Sequence, residues 1–158
     1  MWGTLDNRER EARKMVLHLI SEGRVPGADS LAASLGCSRG DAAARLDGLV
    51  AKGYVVRDGE GDIAAAYPLS VRPTRHRVTL GRSKPVYALC AVDALGVSAV
   101  FGVSAAIEAR CPHCERLICL AVANGEVVRR EPASTVLWYT MADLLEKRIE
   151  GLNLSALH

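Results

Sequence analysis

The stretch Tyr87-Ala88-Leu89-Cys90-Ala91-Val92-Asp93-Ala94-Leu95-Gly96 reads as a helix that opens past Pro85 and stops near Gly96. On such a helix Cys90 and Asp93, three residues apart, share a face, and a thiol and a carboxyl there could address one small ligand together. A buried small hydrophobe beside a solvated aspartate is the plainer reading, and spacing alone favours it. Working outward, Val97 to Gly102 is a short apolar segment and Ala105 to Arg110 a strand. Leu117 to Ala123 and Glu126 to Arg130 are strands joined by Asn124-Gly125, a strong hairpin signal because both residues accept positive φ. Upstream, His76 to Leu80 is a strand and Gly81-Arg82 a turn. Met141 to Leu152 has apolar residues at Met141, Leu144, Leu145, Ile149 and Leu152, an amphipathic closing helix. This half of the chain is a small, mostly antiparallel α+β domain.

The other half is helical first. Ala12, Met15, Val16 and Ile20 recur at helical spacing over residues 7 to 22, and Gly23 with Pro26-Gly27 ends that run. Asp29 or Ser30 is expected to cap a short helix to Leu35, Gly36-Cys37-Ser38 to turn, and a further helix to run from Arg39 to Lys52. Gly53 to Arg57 and Asp62 to Tyr67 flank the Gly-rich turn Asp58-Gly59-Glu60-Gly61. Together these predict a winged-helix-like region over residues 1–68, packed on a sheet domain over 69–158, with Pro68 to Pro73 as linker. In a DNA reader the helix from Arg39 would enter the major groove. There Arg39 and Arg45 are countered by Asp41 and Asp47, and no Asn or Gln is present, so DNA as partner is admitted but not favoured.

Composition narrows the classes further. With 20 basic and 18 acidic side chains in 158 residues the formal charge is +2, no electrostatic footprint of a nucleic-acid protein. The first residues lead into charges rather than an apolar core with a cleavage site, and no window approaches the roughly 18 apolar residues of a membrane span. The expectation is a cytoplasmic protein with no membrane partner, whose five cysteines are ligands, nucleophiles or core residues instead of a disulfide framework.

Cys111-Pro112-His113-Cys114 lies between two strands. A CxxC turn is half of a tetrahedral zinc site and requires two more ligands, for which His113, His76, Cys90 and Cys119 are the candidates nearby in sequence. A zinc or other thiophilic metal at Cys111 and Cys114 is thus one expectation. A redox role is less favoured, because such thiolates are activated at helix N-termini. Cys119 lies on a strand with both faces apolar and reads as a buried thiol, and Cys37 as packing.

From Asp29 to Arg130 the order of features resembles the organomercurial (alkylmercury) lyase family. The segments that carry the resemblance are Leu31-Ala32-Ala33-Ser34-Leu35-Gly36, Leu69-Ser70-Val71-Arg72-Pro73-Thr74-Arg75-His76-Arg77-Val78, Tyr87 to Gly96, and Glu108-Ala109-Arg110-Cys111-Pro112. The resemblance implies a lyase-type fold and protonolysis of carbon–mercury bonds without a required cofactor. It makes Cys90 the first thiolate, Asp93 the carboxyl that manages protons, and Cys111 a structural cysteine. It also departs from the family. Where a second catalytic cysteine is expected the chain reads Ala133-Ser134-Thr135-Val136-Leu137-Trp138-Tyr139-Thr140-Met141, and no cysteine follows Cys119. Either Cys114 or Cys119 has replaced it, or the scaffold binds a soft metal or serves other small-molecule chemistry without the lyase reaction. The ligand set for such a metal would be Cys90, Cys111, Cys114 and Cys119, and the partner an organomercurial or soft-metal ligand. A metal-binding winged-helix transcriptional regulator is the non-enzymatic alternative.

Overall fold

Helices and strands divide between two compact units, residues 1–72 and 73–158, in a computed structural model that describes residues 4–137. The first unit begins with α1 (Asn7–Ser21), α2 (Ala28–Leu35) and α3 (Arg39–Ala51), and continues into the strands β1 (Val55–Arg57), β2 (Ile63–Ala66) and β3 (Leu69–Ser70). Asp6 starts α1 through a capping box, its carboxylate accepting the Glu9 N–H while the Glu9 carboxylate accepts the Asp6 N–H, both at 2.8 Å. The apolar stripe Ala12, Val16, Leu19 and Ile20 is then buried, together with Leu31 of α2 and Ala42, Leu46 and Leu49 of α3. From Ala12 to Val16, and from Val16 to Leu19 and Ile20, the spacing is three or four residues, so a single face of α1 contributes to the unit's core.

Two local expectations need correction here. The short helix α2 is capped by Gly27 and not by Asp29 or Ser30, because the Ser30 hydroxyl reaches back to accept the Gly27 N–H at 2.9 Å from inside the first turn. Residues 68 to 73 are not simply a linker: Leu69 and Ser70 form β3, antiparallel to β2 with Ala65 opposite Ser70 and Ala66 opposite Leu69. Two residues carry too little alternation to announce a strand, and what fixes this one is burial of both side chains.

The second unit holds β4 (His76–Leu80), β5 (Val86–Ala88), α4 (Ala91–Phe101), β6 (Ala105–Arg110), β7 (Leu117–Ala123) and β8 (Glu126–Glu131). Its strands lie in the order β5-β4-β6-β7-β8, and every adjacent pair is antiparallel. The chain is α+β with a mostly antiparallel sheet, as expected. Asn124 and Gly125 take φ of 54° and 79°, the positive values a two-residue hairpin demands. On β4 the alternation buries His76, Val78 and Leu80 on one face, where α4 packs and contributes Ala94, Val97 and Ser98. Among the described residues no helix is long and apolar enough to cross a membrane. The closing helix expected at Met141 to Leu152 lies outside the described residues.

The helix in this unit differs from expectation at both ends. Val86–Ala88 is a strand, so the helix begins at Ala91 with Cys90 as its N-cap. It also passes through Gly96 to Phe101, where Gly102 ends it in the left-handed conformation at φ 65°. A mid-helix glycine costs about 1 kcal/mol against alanine, and burying Val97 against the sheet offsets that cost.

Candidate active site

Cys90 has extended backbone at φ −147° and ψ 179°, the conformation of an N-cap, and its sulfur accepts the Asp93 N–H at 3.4 Å. The cap therefore turns the thiol toward the first turn of α4. Cys90 Sγ also lies 3.2 Å from Asp93 Oδ2, with the thiol donating to the carboxylate. Sulfur and carboxyl do meet, but through a cap rather than a shared helical face. Cysteine is not among the residues that mark an N-cap in sequence, so the geometry was not legible there.

The strand before the cap is held from its neighbour. Thr74 Oγ1 donates to the Ala88 carbonyl at 2.6 Å and accepts the His76 N–H at 3.1 Å. It thereby ties the entry of β4 to the exit of β5 two residues ahead of Cys90. Thr74 thus holds the approach to the Cys90 cap, a task that its place in the Leu69 to Val78 segment does not reveal. Its signal was a hydroxyl two residues before a strand, a common turn feature with no address attached.

Electrostatics around the pair follow from burial. Cys90 and Asp93 are both half-buried. Burial first, and the neighbouring Asp93 charge second, push the Cys90 thiol up to about 11. Burial raises the Asp93 carboxyl to about 6, against the opposing pull of its hydrogen bonds from Cys90. The resting state near neutrality is a thiol donating to a carboxylate, with one proton between two groups able to exchange it.

The turn after β6 is a second thiol cluster. The Cys111 N–H donates to the Arg116 carbonyl at 3.0 Å and the Glu115 N–H to the Cys111 carbonyl at 2.9 Å, with Glu115 at φ 55°. Backbone N–H groups of Cys114 and His113, and then the Cys114 thiol, are directed at the Cys111 sulfur and hold it below the usual thiol range. Cys111 is half-exposed and Cys114 exposed. Cys119 is not the buried thiol expected: it is only half-covered, and of its strand Val122 alone is buried. Its backbone stands opposite Glu108 and Glu131 in the sheet. Cys37, also half-buried, follows the α2 C-cap in the first unit.

The four-cysteine metal set does not assemble. Among the described residues no three His, Cys, Asp or Glu side chains converge as a metal would need. The strand order explains it: β5, which leads to Cys90, is separated from β6 by β4, and β7 with Cys119 lies one strand further. His76, buried on β4, keeps its Nε2 without a hydrogen-bond partner among the described residues. Burial and then Arg75 lower its affinity for a proton, which favours the neutral ring.

The family model for MerB, alkylmercury lyase, matches residues 69–149, about half of the chain and the part that holds Cys90, Asp93, Cys111, Cys114 and Cys119. The chain belongs to the alkylmercury lyase family. Among solved structures it is similar to the mercury-bound form of MerB2, at 25% identity and a TM-score of 0.71 over 87% of this chain. The chain spans 66% of the length of that protein. No curated protein sequence matches it significantly.

Proposed function

We propose that this alkylmercury lyase family member binds organomercurials through Cys90 and cleaves the carbon–mercury bond by protonolysis, with Asp93 carrying the proton. The observation that supports the reading most is the 3.2 Å contact between Cys90 Sγ and Asp93 Oδ2. A soft thiolate is the ligand Hg(II) seeks, but Cys90 is held as a thiol. As the Hg–S bond forms, the organomercurial's anionic ligand departs from mercury and the thiol proton passes to the carboxylate already hydrogen-bonded to it. The carbon–mercury bond then breaks with its electron pair on carbon, which takes that proton from Asp93 as the C–H bond forms. The hydrocarbon departs, Asp93 is again a carboxylate, and Hg(II) stays on sulfur. A second thiolate raises electron density on the metal. The family's catalytic position for it falls where this chain has no cysteine, so an added small thiol completes the coordination in the assay.

The test is incubation of the reduced protein with phenylmercury acetate and excess cysteine, following benzene and bound mercury together. Benzene release that Cys90→Ser and Asp93→Asn both abolish is the expected result. Equal benzene release by Cys90→Ser would sink the proposal. Mercury bound without benzene would leave a soft-metal protein on the family scaffold. The regulator alternative would use α3, whose Arg39 and Arg45 are engaged by Asp29 at 2.8 Å and Glu11 at 3.2 Å. Those pairs leave that helix little free cationic charge for phosphates.

A further inference from the structure

We propose that the Cys111-Pro112-His113-Cys114 turn is a second soft-ion site, a dithiolate chelate for two-coordinate Hg(II) that works without Cys90. The first ground is how the turn is built. Pro112 has no N–H and fixes its own φ, which stiffens the chain between the two cysteines. The Glu115 N–H bond to the Cys111 carbonyl at 2.9 Å closes a single turn that contains both cysteines, so the two thiols are carried on one short closed loop. Backbone bonds from Cys111 to Arg116 and from Glu115 to Cys111 clamp the turn from outside. The Arg75–Glu115 ion pair at 2.7 Å, joining the turn to the segment before β4, holds it further. Two ligands held close before the ion arrives lose little freedom on binding it.

The second ground is exposure. Cys114 is exposed, so burial does not account for a thiol there, and a solvent-facing turn position has no packing need of sulfur. The third ground is the number of donors. Zinc requires four ligands, and no third His, Cys, Asp or Glu joins the pair among the described residues. A soft ion content with two thiolates is what the turn fits, and Hg(II) is the ion that the proposed reaction would leave. On that last point the inference rests on the proposed function; the chelate itself does not.

Binding is balanced as an exchange: two Hg–S bonds form, two S–H bonds break, two protons pass to the buffer, and the two chlorides of mercuric chloride depart. Register also places this turn at the same end of the sheet as Cys90. His76 on β4 stands opposite Ala88 on one side and Ala109 on the other. These two residues are therefore about 10 Å apart, two strand spacings, and Cys90 and Cys111 each follow two residues later.

The experiment loads reduced full-length protein with mercuric chloride in excess cysteine, removes unbound metal by gel filtration, and counts mercury per chain. Wild type, Cys90→Ser, Cys119→Ser, Cys114→Ser and Cys111→Ser are compared, with circular dichroism to verify folding. The expected result is that Cys90→Ser and Cys119→Ser keep the turn's ion. Cys114→Ser, a change at an exposed position, should weaken its retention about a hundredfold, the loss expected when a chelate becomes a single thiol. Undiminished retention in Cys114→Ser, or loss of all mercury in Cys90→Ser, would overturn the proposal. Because no carbon–mercury bond is present, failure of the lyase reading leaves this readout unaffected.

Discussion

Asp93 is a carboxyl whose fold opposes its charge. Its affinity for a proton is raised from 3.8 to about 6, so the folded chain holds a proton that the unfolded chain has already released. The associated stability is present below about pH 4 and lost as pH rises through 6. Asp93→Asn, which can still accept from the Cys90 thiol, should therefore raise the melting temperature near pH 7.5, a gain of roughly 1–3 kcal/mol, and leave it nearly unchanged near pH 4. Thermal scans at the two pH values check this; an equal shift at both would argue against burial as the cause. Activity should have the opposite dependence. The carboxylate must be free to take the Cys90 proton, so kcat/KM should fall about tenfold per pH unit below about 6. A pH profile of benzene release that is flat to pH 5 would contradict the relay. The residue pair was legible in the sequence, but its geometry was not. Pro85 looked like the start of a helix, whereas Val86 to Ala88 joined a sheet whose partner strand lies earlier in the chain.

Elements were readable where the residues themselves carried the signal. Asn124-Gly125 specified its hairpin because positive φ is a property of the two residues themselves. α1 was readable from its stripe, but the neighbour it depends on was not. Glu9 is buried, and its carboxylate accepts from Lys52 at 2.6 Å as well as from the Asp6 N–H. The Lys52 ammonium is the main reason its proton affinity is lowered. A Cβ on Gly48 of α3 would come within 2.8 Å of Glu9 Oε1, so this glycine makes room for the carboxylate between two helices. Gly40, also on α3, meets only the Ser38 hydroxyl at 3.8 Å. Gly40→Ala should then stabilise the chain by up to about 1 kcal/mol from helix propensity, while Gly48→Ala gains less or destabilises. Paired urea titrations measure the difference, and equal gains would mean Glu9 yields without cost. β3 and the far half of α4 escaped the sequence reading for a related reason. Both are fixed by what they pack on, which a window of a few residues does not contain.

Across the molecule, chemistry and helical packing are distributed unevenly between the units. Residues 1–72 hold Cys37 alone, while Cys90, Cys111, Cys114 and Cys119 all fall in residues 73–158. The α+β class and the family were legible because the deciding segments, from Leu69 to Pro112, each keep their own residues in order. The meeting of the cysteines was not, since strand order, and not chain order, sets which of them approach. Both units are unbroken stretches of chain, and this has a consequence for inheritance. A single genetic crossover between the codons of Arg72 and Pro73 would join the whole second unit to a different amino-terminal segment without dividing a helix or a strand. Cys90, Asp93, Cys111, Cys114 and Cys119 would then travel together, while their amino-terminal companion was free to change.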